Sequence, residues 1–185
     1  MIILIGLPGS GKSTVGRQLA RRLGASFIDS DQEIELRLGC SIREFFEREG
    51  EESFRDVEQA TLNELTQAQT QTPAELLQPA PATVVLSTGG GSVLRLTNRV
   101  ALRSCGKVVY LHSQADDIFK RLRHDRNRPL LQVGDPLQRL RDLYTDRDPL
   151  YRETAHFVVE TGRPSVATLV NMILMQLELA GGEHH

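Results

Sequence analysis

"GLPGSGKST", residues 6 to 14, follows the apolar run "MIILI" (1–5) and leads into "VGRQLARRLG" (15–24). The nine residues carry the pattern G-x-x-x-x-G-K-[S/T], with Gly6, Gly11, Lys12 and Ser13 at its required places. An apolar strand before it and an amphipathic helix after it supply the context that the pattern needs to work as a phosphate loop. The glycines let the backbone wrap, so that the N–H groups of Gly9, Ser10, Gly11, Lys12, Ser13 and Thr14 can point at phosphate oxygens. The positive end of the following helix adds to the attraction. Lys12 is placed to reach the β and γ phosphates of a bound nucleotide, and the Ser13 hydroxyl to meet Mg²⁺. A glycine-rich turn that merely happened to hold Lys and Ser would not need both flanking elements.

Working outward, strands and helices alternate. Strands are expected at 2–5, 26–29 ("SFID"), 83–87 ("TVVLS"), 107–112 ("KVVYLH") and 156–160 ("HFVVE"). Helices are expected at 12–23, where Val15, Leu19 and Leu23 share a face, and at 31–38, 41–48, 52–69, 94–104, 114–124, 136–147 and 164–179. Short continuous apolar strands separated by helices imply an α/β fold, a five-stranded parallel sheet with helices on both faces.

The chain has 185 residues and is 39% hydrophobic, which suits one substantial core and hence one domain, expected over 1–180 with a tail at 181–185. A net charge of -2, with no basic stripe, gives no electrostatic reason to expect nucleic acid as a partner. No stretch approaches membrane-spanning length, and "MIILI" is too short for a signal peptide, so no membrane partner and a cytoplasmic location are expected. Cys40 and Cys105 stand far apart without metal-ligand spacing and read as free thiols. His112, His124 and His156 stand singly and suggest no metal site.

In parallel sheets of this kind ligands bind beyond the carboxyl ends of the strands. The first strand delivers the phosphate loop; the second delivers "DSD", with Asp29 and Asp31; the third delivers "STGGG", with Gly89, Gly90 and Gly91. After the fourth come a helix, the basic segment "RHDRNRPLL" (123–131), which looks like a lid, and "DRDPLYRE" (146–153). The fifth ends at "ETGRPS" (160–165), where a nucleotide base could be held.

The blocks "GLPGSGKST", "DSD", "FR" (54–55), "GGG" (89–91), "RPLL" (128–131) and "RDPLYRE" (147–153), in this order and spacing, resemble the shikimate kinases over most of the chain. The phosphate loop alone is shared by very many NTPases; the six blocks together are far more specific. The resemblance implies the P-loop NTPase fold in its nucleoside-monophosphate-kinase-like form, with a substrate-binding helical part at about 31–65 and a lid at about 123–135. It implies ATP-dependent phosphorylation of the 3-hydroxyl of shikimate on the route to chorismate and the aromatic amino acids. ATP is then co-substrate and Mg²⁺ the cofactor. It further implies that Arg55 and Arg147 bind the carboxylate of shikimate, Asp31 its ring hydroxyls, and the amides of Gly90 and Gly91 the ring. Asp29 would hold Mg²⁺ through water together with Ser13, Arg128 in the lid would be a third cation on the phosphates, and Arg163 an adenine-side contact.

Those assignments suit the acceptor, a small ring with one carboxylate and three hydroxyls. Arginine forks bind carboxylates through strong, directional, charge-assisted pairs. Asp31 is the candidate base that orients the attacking hydroxyl, and Lys12 and Arg128 are its catalytic partners. Other readings stand beside these: Asp29 or Asp31 capping the next helix, Arg55 pairing with Glu58 one turn on, and "GGG" as a flexible turn. At the level of the whole protein, the alternatives are a kinase of gluconate or a nucleoside monophosphate, and a nucleotide-binding module without turnover. "TQTPAELLQPAPA" (70–82) is a Pro/Gln/Ala stretch longer than the connection expected in the family and reads as a surface excursion. The small, self-sufficient cleft suggests a monomer.

Overall fold

The computed structural model describes residues 1–70, 83–122 and 134–181. Arg128, most of the expected lid, nearly all of the 70–82 stretch and the last four residues lie outside them.

The first strand, β1 (Ile2–Ile5), is wholly buried because it has neighbours on both edges and helices on both faces. It pairs in parallel with β3 (Val84–Ser87) and β4 (Lys107–His112); β2 (Ser26–Asp29) flanks β3, and β5 (Phe157–Glu160) flanks β4. The sheet order is therefore β2-β3-β1-β4-β5, with the phosphate loop leaving its central strand. Alternation along β1 divides the core. Ile2 and Leu4 pack with Val15, Leu19 and Val170 on one face, and Ile3 and Ile5 with Leu62, Leu102, Leu140 and Tyr151 on the other. Each fully buried aliphatic side chain contributes about 1.5–3 kcal/mol.

The helices are α1 (Lys12–Leu23), α2 (Ser30–Leu38), α3 (Ile42–Thr70), α4 (Leu96–Cys105), α5 (Ala115–Leu122), α6 (Pro136–Thr154) and α7 (Val166–Gly181). The expected separation of 41–48 from 52–69 reduces to one residue: Gly50, at φ 81° and ψ 176°, interrupts the run of α3. Ser41 and Glu44 start α3 as a reciprocal cap. The Ser41 amide donates to Glu44 Oε2 (2.8 Å) and the Glu44 amide to Ser41 Oγ (3.2 Å).

The largest departure from the sequence reading is α6, expected to stop at 147 but continuous to Thr154 through Pro149. An interior proline costs about 3 kcal/mol. Here the burial of Leu140, Leu143, Tyr151 and Thr154 against the core offsets it. "DRDPLYRE" is thus helical, and Arg139, Leu143 and Arg147 recur at four-residue spacing on one face of it.

Candidate active site

Each end of the site follows from local sequence. Gly11 caps α1 in the left-handed region (φ 93°, ψ 14°), which a side chain would resist, so the loop can turn directly into the helix. The first helical N–H groups, from Lys12 to Thr14, then have no partner within α1 and face the cavity beyond β1. No acidic residue occupies the first turn of α1, while Arg21 and Arg22 complement its last turn. Lys12 is buried, and its Nζ donates to the carbonyls of Gly6 and Leu7, both at 2.9 Å.

Asp29 ends β2 and has two tasks. One oxygen caps α2 by accepting from the Asp31 amide (3.1 Å); the other accepts from Ser13 Oγ at 2.6 Å. The Ser87 hydroxyl is 3.4 Å from that of Ser13. This group of hydroxyl and carboxylate oxygens is a hard donor set beside the phosphate cradle. It suits Mg²⁺, which takes few protein ligands and completes its shell with water and phosphate. Among the described residues no cluster of three or more His, Cys, Asp or Glu could hold a metal by itself.

Asp31 is not a cap. Its carboxyl is pushed up from 3.8 to about 6, chiefly by burial and then by repulsion from Asp29, while Lys12 pulls the other way. A carboxylate with that affinity for protons is a better base than an ordinary surface aspartate.

The three glycines after β3 show why the chain lacks side chains there. A Cβ on Gly89 would stand 2.5 Å from Asp31 Oδ1, one on Gly90 would stand 2.6 Å from Pro8 Cδ, and one on Gly91 would run into the Arg55 guanidinium. None of the three has a positive φ. Space, not backbone conformation, demands glycine, because the functional groups of three other elements converge on this loop.

Arg55, in the second half of α3, is buried; it donates to Glu58 Oε2 (2.7 Å) and Glu51 Oε1 (3.1 Å), so its pairing with Glu58 is real. Its Nε–H has no partner among the described residues. Glu58 is itself 1% exposed, and burial raises its carboxyl even though Arg55 beside it acts in the opposite direction. A buried acid that holds Arg55 at its post is a site residue that the sequence offered only as a competing partner.

Two cavities result. One, about 640 Å³, is lined by the phosphate loop from Pro8 to Thr14, Asp29, Ser87, Arg121, Thr161 and Pro164. The other, about 780 Å³, is lined by Arg55, Glu58, Gly89, Gly90, Gly91, Leu143 and Arg147, with Phe46 and Phe54 as apolar wall. Pro8, Asp31 and Gly90 line both. Arg163 is exposed and lines neither, although Gly162 and Pro164 on either side of it line the first. The Thr161 hydroxyl and amide are tied to the His112 carbonyl (both 2.9 Å), which anchors the turn whose residues Thr161, Gly162, Pro164, Ser165 and Val166 line the cavity. Arg121, which no motif in the sequence singles out, lines that cavity and donates to Ser113 Oγ at 3.2 Å.

A phosphate loop on the central strand, joined through a carboxylate to an arginine-lined second cavity, defines a P-loop kinase of small molecules. The family model for shikimate kinase matches residues 8–178. A shikimate kinase of Paracidovorax citrulli is 59% identical over 181 residues, 97% of this chain and 93% of that protein. One from Ralstonia nicotianae is 53% identical over 97% of this chain and 88% of its own length. Among solved structures, the shikimate kinase of Acinetobacter baumannii in complex with shikimate superposes with a TM-score of 0.83 at 46% identity, covering 97% of this chain and 93% of that one. The chain belongs to the shikimate kinase family.

Proposed function

We propose that the enzyme transfers the γ-phosphoryl group of ATP to the 3-hydroxyl of shikimate, giving shikimate 3-phosphate and ADP. The observation that carries this reading is the position of Asp31. It lies where the two cavities meet, with the phosphate loop on one side and Arg55 and Arg147 on the other, and its proton affinity is raised to about 6.

In this reading Arg55 and Arg147 hold the carboxylate of shikimate. The Nε–H of Arg55, without a partner among the described residues, supports that role, since a buried donor of this kind is costly unless something accepts from it. Gly90 and Gly91 border the ring, and Asp31 accepts from the attacking hydroxyl and takes its proton as the new O–P bond forms and the bond to ADP breaks. Phosphoryl transfer through a loose transition state asks for positioning and charge stabilisation more than for covalent help. Lys12 supplies fixed charge at the phosphates, with the amides from Gly9 to Thr14 around it. Ser13 and Asp29 would hold Mg²⁺, which when bound neutralises charge developing on the phosphate oxygens. Arg128 and a lid at about 123–135 belong to the same reading as the third cation and as the element that excludes water. No helix among the described residues is long and apolar enough to cross a membrane. The enzyme is read as a cytoplasmic monomer, for which light scattering is the check.

The test is ADP release from the purified protein with Mg²⁺ and ATP, with and without shikimate, and ¹H–³¹P correlation to locate the phosphate on the ring. Shikimate-dependent release with phosphate on the 3-oxygen is expected. Release that ignores shikimate, or that responds to gluconate or a nucleoside monophosphate instead, overturns the acceptor.

A further inference from the structure

Arg139, Leu143 and Arg147 of α6 all line the acceptor cavity. Tyr144 and Asp148, each one residue further on, are bonded instead to β4. The buried Tyr110 donates its phenol O–H to Asp148 Oδ1 at 2.8 Å, and the second oxygen of Asp148 accepts from Arg152 Nε (2.8 Å). Two residues along the strand stands His112, also buried, with Glu160 Oε2 at 2.6 Å from its Nδ1. An ionised carboxylate can only accept, so Nδ1 carries the proton; in the neutral ring, Nε2 then accepts from the Tyr144 hydroxyl at 3.0 Å. Two residues of strand span about 6.6 Å and four residues of helix about 6 Å, so these two rungs match in spacing without bending either element. Further along α6, the Tyr151 phenol donates to the Gly90 carbonyl at 2.5 Å.

The rungs stand where α6 is weakest. Pro149 has no amide to donate to the Thr145 carbonyl, so the turn that carries Arg147 lacks one backbone hydrogen bond. Tyr144 and Asp148 flank Arg147 within that stretch. We propose that Tyr110 and His112 are positioning residues for the acceptor: their two hydrogen bonds compensate for the bond lost at Pro149 and hold the Arg147 face of α6 on the cavity. The inference rests on the proposed function, in which Arg147 binds the carboxylate of shikimate. Leu140 and Leu143 hold the helix near the sheet by apolar packing, which is non-directional. Two directional bonds at matched spacing fix its rotation, and a slip of one residue would turn Arg147 about 100° away. None of Tyr110, His112, Tyr144 and Asp148 is among the described residues lining either cavity, so they act through α6.

Tyr110→Phe and Tyr144→Phe each remove one rung while the ring and its packing remain. Each alone is expected to raise the KM for shikimate about 2-fold, and the two together about 10-fold, more than the product, because either rung still holds the turn while the other is gone. The KM for ATP should stay near wild type, since the turn after β5 is held by the His112 backbone carbonyl, which neither change touches. Adding Pro149→Ala to the double variant restores the amide donor and should bring the KM for shikimate back toward wild type. An unchanged KM for shikimate in the double variant overturns the proposal. So does a parallel rise in both KM values, which is the pattern of a general structural role, or a KM for shikimate that Pro149→Ala does not lower. Arg147→Ala, measured alongside, separates the two layers. If it leaves the KM for shikimate untouched, the ligand reading of Arg147 fails and the positioning role falls with it. If it raises that KM while the double variant does not, only the positioning role fails.

Discussion

The two ends of the active site are built by different means. The phosphate end is made of backbone: Gly11 takes a left-handed conformation with open space around it, and the helix start behind it presents amides. The end proposed for the acceptor is made of side chains from three helices, Asp31 of α2, Arg55 and Glu58 of α3 and Arg147 of α6, around the glycine loop after β3. Its glycines have ordinary φ values and are needed for room. Backbone recognition serves any phosphate and is shared widely. A chosen acceptor needs side-chain charges in a particular relative placement, and only packing can provide that.

The difference can be pressed hardest at Lys12. Its charge acts only where negative charge builds up on the phosphates, so Lys12→Ala is expected to lower kcat by at least about 10³-fold. The binding of shikimate alone, followed by titration calorimetry, should change little. A matching loss of shikimate affinity would show that the two ends are not separable.

Asp31, at the junction, should show activity and stability moving in opposite directions. Its carboxyl titrates near 6 in the folded protein against 3.8 as the ordinary value, so the folded state binds the proton more tightly. Stability from this group is therefore present at low pH and falls as pH rises from about 4 to about 6. Over the upper part of that window kcat/KM should rise as the base ionises. Asp31→Asn is expected to reduce kcat about 10²- to 10⁴-fold with shikimate binding still measurable. The same variant should gain about 3 kcal/mol of unfolding free energy at pH 7 and nothing near pH 3. Denaturant melts at the two pH values check the second part, and a stability gain that does not depend on pH would refute the burial of a charged carboxylate as its cause.

The smallest effects distinguish the two kinds of glycine. Gly11→Ala meets no neighbour and costs only backbone strain, about 1–2 kcal/mol, with the KM for ATP alone affected. Gly90→Ala keeps an easy φ but strikes Pro8, for an overpacking cost of about 1–3 kcal/mol. Because Pro8 and Gly90 line both cavities, both KM values should rise. Kinetics showing only the shikimate KM affected would mean that the loop yields without moving Pro8.

Much of the fold is legible in the sequence. The strands fall within a residue of their expected bounds because each is a short apolar run between turns, and Gly50 marks the break in α3. The extent of α6 is not legible, since Pro149 argues locally for an end and only the buried face of the helix overrides it. Arg121 escapes notice because it stands in no motif, and Glu58 is legible only as a rival partner for Arg55; placement on the cavity wall and burial beside Arg55 identify them.

The sequence by itself determined the phosphate loop, the parallel sheet that carries it and, through six spaced blocks, the family. These depend on contiguous residues, whose spacing and backbone preferences act locally. Tertiary structure alone decided that Asp31 has a raised proton affinity, that Arg55 is buried against Glu58, that three glycines give way to Asp31, Pro8 and Arg55, and that the Tyr151 phenol of α6 holds the Gly90 carbonyl. Desolvation and close approach arise between residues far apart in the chain, so they exist only once the chain has packed.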